Sequence, residues 1–246
     1  MLIFEGDSTS ATSEKINMTD RKQGKAFIFL YPETDIFDFE INGGAYSFSD
    51  KEKERQFKER IDKSESDEEK EAIRAEAVKE IRAEFRQVYS SKLNQCIDAR
   101  YRRNGFSIFY AIFDGSHVSD VLDVRPEDKV IQVGMDEITH RTKRPDGTYP
   151  YPKRDYIIDQ MEPLDTLWVG GFHMWDCVRK LAIRAHQRGI ATLVDEDLTE
   201  FFASRIKRSD FRIEEFPGYN PKSEGERNYS FFMRPRKGKP WYYQKY

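Results

Sequence analysis

Apolar residues in this chain fall into short unbroken runs separated by longer polar stretches. Residues 25–31, 106–113, 166–169 and 190–194 are such runs. They have strand length and little alternation, the pattern of strands buried on both faces of a parallel sheet. Shorter runs at 130–133 and 137–139 read as further strands or edges. Pro32 closes the first run, because proline has no N–H to give a ladder. Asn42-Gly43-Gly44 and Asp146-Gly147 mark turns, the latter inside a loop over 145–152.

Between the first two strands the pattern changes. Residues 51–103 are mostly charged, and Val78, Ile81, Phe85 and Val88 recur at steps of three and four. That spacing predicts one buried stripe on a long helix. Phe57 and Ile61 predict a shorter helix before it, and Ser66 with Glu69 predicts a capping box at the junction. A further short helix is expected over 155–161. Strands alternating with helices predict an α/β protein: a three-layer α/β/α, doubly wound, mostly parallel, Rossmann-like sheet. Residues 1–246 read as one domain, with a helical insertion at 51–103 and a C-terminal extension at 203–246.

Composition narrows the setting. The chain has 246 residues, 38% apolar and 35% charged, with a formal net charge of −3. Such a charge argues against non-specific binding of the whole molecule to nucleic acid. Two cysteines, Cys96 and Cys177, make no disulfide framework, and a reducing compartment is the simpler expectation. Residues 1–20 lack the pattern of a signal peptide, and no run approaches the ~20 apolar residues of a membrane span. A soluble cytoplasmic protein without membrane partners is expected.

The extension at 203–246 differs from the rest. Lys and Arg outnumber Asp and Glu there by eleven to five, with ten aromatic residues interleaved. Cations among rings can hold phosphates and stack bases, so single-stranded nucleic acid is a possible partner. Rings so closely spaced also bury area well, and packing of Trp241 and its neighbouring tyrosines on the protein itself or a second copy is the expected use.

Residues 165–197 carry the clearest chemistry. The strand at 166–169 runs into Gly170-Gly171, expected to form a tight turn. Val178, Leu181, Ala182 and Ala185 then follow at helical spacing, and Gly189 ends the helix before the next strand. Cys177 therefore sits beyond the carboxyl end of a parallel strand, where ligands of such sheets bind. A helix N-terminus there favours a thiolate, which the charge of the neighbouring Asp176 opposes. His173, in the strand-to-helix turn, lies within reach.

The run Gly171-Phe172-His173-Met174-Trp175-Asp176-Cys177-Val178, with Gly189 after the helix, resembles the isochorismatase-like cysteine hydrolases over about thirty residues. That resemblance implies a cysteine nucleophile acting on a small amide, imide or related molecule, with no cofactor, in a homo-oligomer. It also implies an aspartate at the end of the first strand and a lysine after a mid-chain strand. Tyr31 occupies the aspartate place, leaving Glu33 and Asp35 as nearby acids. Arg141 and Lys143 are the candidates for the cation. Cys177, Glu33, Asp35, Arg141 and Lys143 are thus the implied catalytic set, and Tyr31, Phe172, His173 and Trp175 the implied ligand-binding set. Tyr31 in that place raises an alternative, a fold that has kept its cleft as a binding or assembly protein and lost the chemistry. A second alternative is a magnesium-dependent nuclease of PIN or NYN type using Asp114 and Asp195 at strand ends. The four histidines show no zinc spacing, and neither a Gly-x-Gly-x-x-Gly nor a phosphate loop occurs.

Overall fold

A computed structural model describes residues 24–33, 51–206, 211–215 and 237–242. Five strands form one sheet: β1 (Lys25–Leu30), β2 (Ser107–Ile112), β3 (Lys129–Gln132), β4 (Thr166–Gly171) and β5 (Ala191–Thr199). All pairings are parallel, in the order β3-β2-β1-β4-β5. The protein is therefore α/β, with a wholly parallel sheet. Starting at β1, the chain winds outward first to β3, then returns to place β4 and β5 on the other side. The order reverses at β1 and β4, and in open parallel sheets the crevice at such a reversal is the usual ligand site.

The central strands are apolar because both faces are covered. Ala26, Phe27, Ile28 and Phe29 are fully buried, as are Tyr110 and Ala111 on β2. Phe27 stacks on Tyr101 with ring centroids 3.9 Å apart. The expected turn at Gly170-Gly171 is instead the end of β4. A Cβ on Gly171 would lie 2.2 Å from the Leu30 carbonyl oxygen, and φ there is +97°. Close approach of β1, rather than a bend, requires glycine.

The helical region divides into α1 (Lys51–Lys63) and α2 (Asp67–Arg100). Ser66 caps α2, its hydroxyl accepting from Glu69 N at 3.0 Å. Tyr89, Leu93, Cys96 and Ile97 on the second half of α2 join the main core. The first half pairs with α1 around Phe57 and Ile73, with ion pairs Arg60–Glu76 and Lys53–Glu80 at 2.6 Å outside. The predicted stripe is only partly realised: Ile81 packs toward α1, whereas Val78 is 43% exposed.

Residues 137–139 are not a strand. They begin α3 (Glu137–Arg141), capped by the Asp136 carboxylate, which accepts from Thr139 N at 2.7 Å. A good cap at that position outweighs the β-branched Ile138 and Thr139. The remaining elements among the described residues are a 3-10 turn (Arg102–Asn104), α4 (Arg154–Asp159), one π-helical turn (Met174–Val178), α5 (Arg179–Gln187) and α6 (Phe202–Arg205). Among the described residues of the C-terminal extension, Trp241 and Tyr242 dock on the sheet. Val194 N donates to Trp241 O at 2.7 Å, and Tyr242 is 1% exposed beside Trp175. No helix among the described residues is long and apolar enough to cross a membrane.

Candidate functional site

The carboxyl ends of β1, β2 and β4 enclose a cavity of about 280 Å³. Tyr31 follows β1, Phe113 follows β2, and Phe172, His173, Asp176 and Cys177 follow β4; α3 adds Glu137, His140 and Arg141. Tyr31 and Phe113 stack at 4.6 Å, and His140 stacks on Phe113 at 5.1 Å, so three roughly parallel rings form one wall. Tyr31 adopts φ +56°, in the left-handed region that a bulky side chain enters at a cost of about 1–2 kcal/mol. Its N–H bonds Ala111 O at 2.8 Å, which holds the turn after β1 against β2.

Cys177 lies on the π-helical turn and is 8% exposed. Its Sγ is 3.8 Å from Asp176 Oδ2. The same Oδ2 accepts from the Tyr151 hydroxyl at 2.8 Å, and Lys180 Nζ is 2.5 Å from Oδ1. Lys180 also lies over the Tyr151 ring. Burial opposes the Asp176 charge, but Lys180 and Tyr151 outweigh it and hold the carboxyl below its usual range. The thiol faces the opposite balance. Burial, then the Asp176 charge, push it up to about 12, although Lys180 and a hydrogen bond from Tyr31 act to lower it. Tyr31 itself is raised well above 10 by burial and by Cys177. At neutral pH the pair is thus a neutral thiol beside an ionised carboxylate.

The start of the turn is fixed from β5. The Glu200 carboxylate accepts the Met174 N–H at 3.0 and 2.8 Å, and Asp176 N donates to His173 O at 3.0 Å. Those two N–H groups are therefore committed, and the dipole of this helix end is already answered by an acid. The Phe172–His173 peptide is cis.

Glu33 sits behind the cavity wall, 4% exposed. Its Oε1 accepts from Phe113 N at 2.6 Å, while Oε2 has no hydrogen-bond partner among the described residues. Burial, with a contribution from the Glu137 charge, raises its pKa to about 7 despite the Phe113 bond and the Arg141 charge. Arg141 is 2.5 Å from Glu137 at the cavity.

Five of the sequence-predicted residues, Cys177, Tyr31, Phe172, His173 and Arg141, therefore meet around one cavity, with Glu33 behind it. Lys143 is not among the cavity residues; it is exposed, its Nζ over the Tyr149 ring. Trp175 points to Tyr242 and is not part of the cavity wall. Asp35 lies outside the described residues. The structure does not bring Asp114 and Asp195 together. Asp114 caps the Gly134 N–H at 2.9 Å, whereas Asp195 is buried on β5 against Arg100, at 3.1 Å, and Tyr101, at 2.5 Å. Two strands separate β2 from β5, about 14 Å at the usual strand spacing. Among the described residues no group of three or more His, Cys, Asp or Glu is placed to hold a metal. Sequence reasoning placed Asp176 beside the thiol as an opposing charge but not as an acceptor of its proton, and missed Lys180, His140 and Tyr151. Asp176 and Lys180 at a spacing of four were the available signal. Comparison with protein-family models, curated proteins and solved structures gives no match.

Proposed function

We propose that the protein is a cysteine-dependent hydrolase of a small amide- or imide-like molecule, built on the isochorismatase-like plan, with Asp176 in the role that Tyr31 cannot fill. The observation that carries this reading is the 3.8 Å approach of Cys177 Sγ to Asp176 Oδ2 at the wall of a cavity. A thiol near 12 is not ionised in advance, so its proton moves to the carboxylate as the S–C bond forms. Asp176 is then a general base within reach of the proton it takes. Lys180 and Tyr151 orient it. Arg141, on the same cavity, is the cationic donor for the oxygen of the tetrahedral intermediate. The intermediate collapses with cleavage of the C–N bond, Asp176 giving the proton it took to the departing nitrogen; water then cleaves the resulting thioester, releasing the acid and returning the thiol. The aromatic wall of Tyr31, Phe113 and His140 favours a flat substrate, and about 280 Å³ limits it to a small one.

A specific observation favours a second reading, in which the cavity binds its ligand without turnover. Tyr31 occupies the acid place and the thiol is held neutral. Incubation of the full chain with p-nitrophenyl acetate, followed by peptide mass spectrometry, separates the two. The hydrolase reading expects an acetyl adduct on Cys177 that forms and decays, and is absent in Cys177→Ala. No adduct on Cys177, with p-nitrophenol release no faster than in Cys177→Ala, leaves the binding reading.

A further inference from the structure

The molecule carries a second hollow, on the outer side of α4 and α5. It encloses about 860 Å³ and is lined by Lys153, Arg154, Lys180 and Arg184 together with Asp155, Asp159, Tyr156 and Ile183. Its charges are not balanced. Asp155 is engaged by Arg184 at 2.7 Å and by Arg188 at 3.3 Å. Asp159 is engaged by Arg188 at 2.6 Å, and Lys180 by Asp176 at 2.5 Å. Both acids of the groove are therefore answered by arginines of α5 and the residue that follows it. The side chains of Lys153 and Arg154 have neither a hydrogen bond nor an ion pair among the described residues, and both residues are exposed. Two uncommitted cations on adjacent residues thus face a concave surface, where field lines concentrate and attract an anion. Tyr156, 43% exposed, and Ile183 give the same groove an apolar face.

We infer that this groove binds an organic oxyanion: a phosphate or carboxylate held by Arg154 and Lys153, carried on a ring-sized apolar body that lies against Tyr156 and Ile183. A guanidinium presents a planar fork suited to both oxyanions, and the neighbouring ammonium adds charge without demanding geometry. The volume is several times that needed for a bare ion and falls within the range of small-molecule sites. The inference does not rest on the reading of Cys177, since the groove's own lining includes neither Cys177 nor Asp176, and neither Lys153 nor Arg154 lines the cavity of about 280 Å³. The groove does adjoin that site: Lys180 lines the groove while holding Asp176, and Arg154 and Lys180 both line a small hollow that reaches Tyr31 and Cys177.

Calorimetric titration of the full chain tests the inference, with phenyl phosphate, benzoate and inorganic phosphate as probes at constant ionic strength. Saturable heat is expected for phenyl phosphate or benzoate, and the stronger of the two identifies the oxyanion. Inorganic phosphate is expected to bind at least tenfold more weakly, because it leaves the apolar face empty. The Lys153→Ala/Arg154→Ala double variant, changed only at exposed positions, is expected to lose at least tenfold in affinity while keeping its melting temperature. Cys177→Ala is expected to bind the probes unchanged, which keeps this test separate from that of the hydrolase. Absence of saturable heat from both aromatic probes, or equal affinity in the double variant, would overturn the inference.

Discussion

Cys177 Sγ and Asp176 Oδ2 lie 3.8 Å apart although the two residues are adjacent in the chain. In a regular helix, neighbours along the sequence point about 100° apart and rarely face one another. Here both residues belong to the π-helical turn and line one cavity. The carboxylate does two opposing things to the thiol. Its charge makes a thiolate harder to form, while its oxygen can accept the thiol proton.

Alkylation isolates the first effect, because iodoacetamide reacts with the thiolate alone. With Cys177 pushed up to about 12, labelling at pH 7 is expected to be slow and to rise about tenfold per pH unit through pH 9. Asp176→Asn is expected to accelerate it by about threefold to tenfold, since a repelling charge is gone. Cys96 is also pushed up to about 12 by burial, but is fully covered, so it should label more slowly than Cys177 throughout. Liquid chromatography of the labelled peptides measures both rates, and slower labelling in Asp176→Asn would contradict the electrostatic account.

Glu33 makes stability depend on pH. Its folded pKa, about 7, is above the ordinary 4.5 because burial penalises the charge. The neutral form is the one the fold accommodates. Its contribution is therefore complete below pH 4.5 and is lost as pH rises through 7, by up to about 3 kcal/mol. Glu33→Gln keeps an oxygen for the Phe113 N–H and removes the ionisation. The variant is expected to gain stability relative to the natural chain on going from pH 5 to pH 8, measured by urea unfolding at both values. Equal differences at the two pH values would show that Glu33 does not titrate in this range.

Two glycines with positive φ separate conformational need from close approach. Gly171 has φ +97° and faces Leu30 backbone atoms at 2.2 and 2.4 Å from a built Cβ; Gly189 has φ +81° and open space around it. Gly189→Ala is expected to cost about 1 kcal/mol, the conformational penalty alone. Gly171→Ala is expected to cost more than about 3 kcal/mol, because a strand must move. Denaturant midpoints give the comparison directly. Similar losses would mean that β1 and β4 tolerate separation.

The central strands β1, β2 and β4 were legible because each carries an apolar run buried on both faces, whereas the edge strand β3 is mostly exposed and β5 runs past its apolar start through Asp195 to Thr199. The position of Cys177 followed from β4 and the helix after it. The short α3 was misread because Ile138 and Thr139 are β-branched, while the signal that decides it, the Asp136 cap, lies one residue outside the run. The extent of the α2 stripe was also misjudged. Periodicity gives a face but not what covers it, and Val78 faces solvent. Asp195 read as a strand-end acid because sequence does not show that Arg100, ninety-five residues earlier, is buried against it. The charge of Asp176 beside Cys177 was legible, but the approach of its carboxylate to the sulfur was not: it depends on a π-helical turn, which spacing rules for α-helices do not anticipate.

The rate of Cys177 acetylation by p-nitrophenyl acetate in Asp176→Asn, compared with the natural chain at pH 7.5, tests the central claim most directly. If Asp176 takes the thiol proton during attack, the substitution slows acetylation at least tenfold, even though it speeds alkylation by iodoacetamide. General-base contributions of about 10²–10⁴ leave room for a larger drop. If acetylation in the variant is unchanged or faster, moving in step with alkylation, Asp176 acts on the thiol only through its charge, and the assignment of a base to this site is wrong.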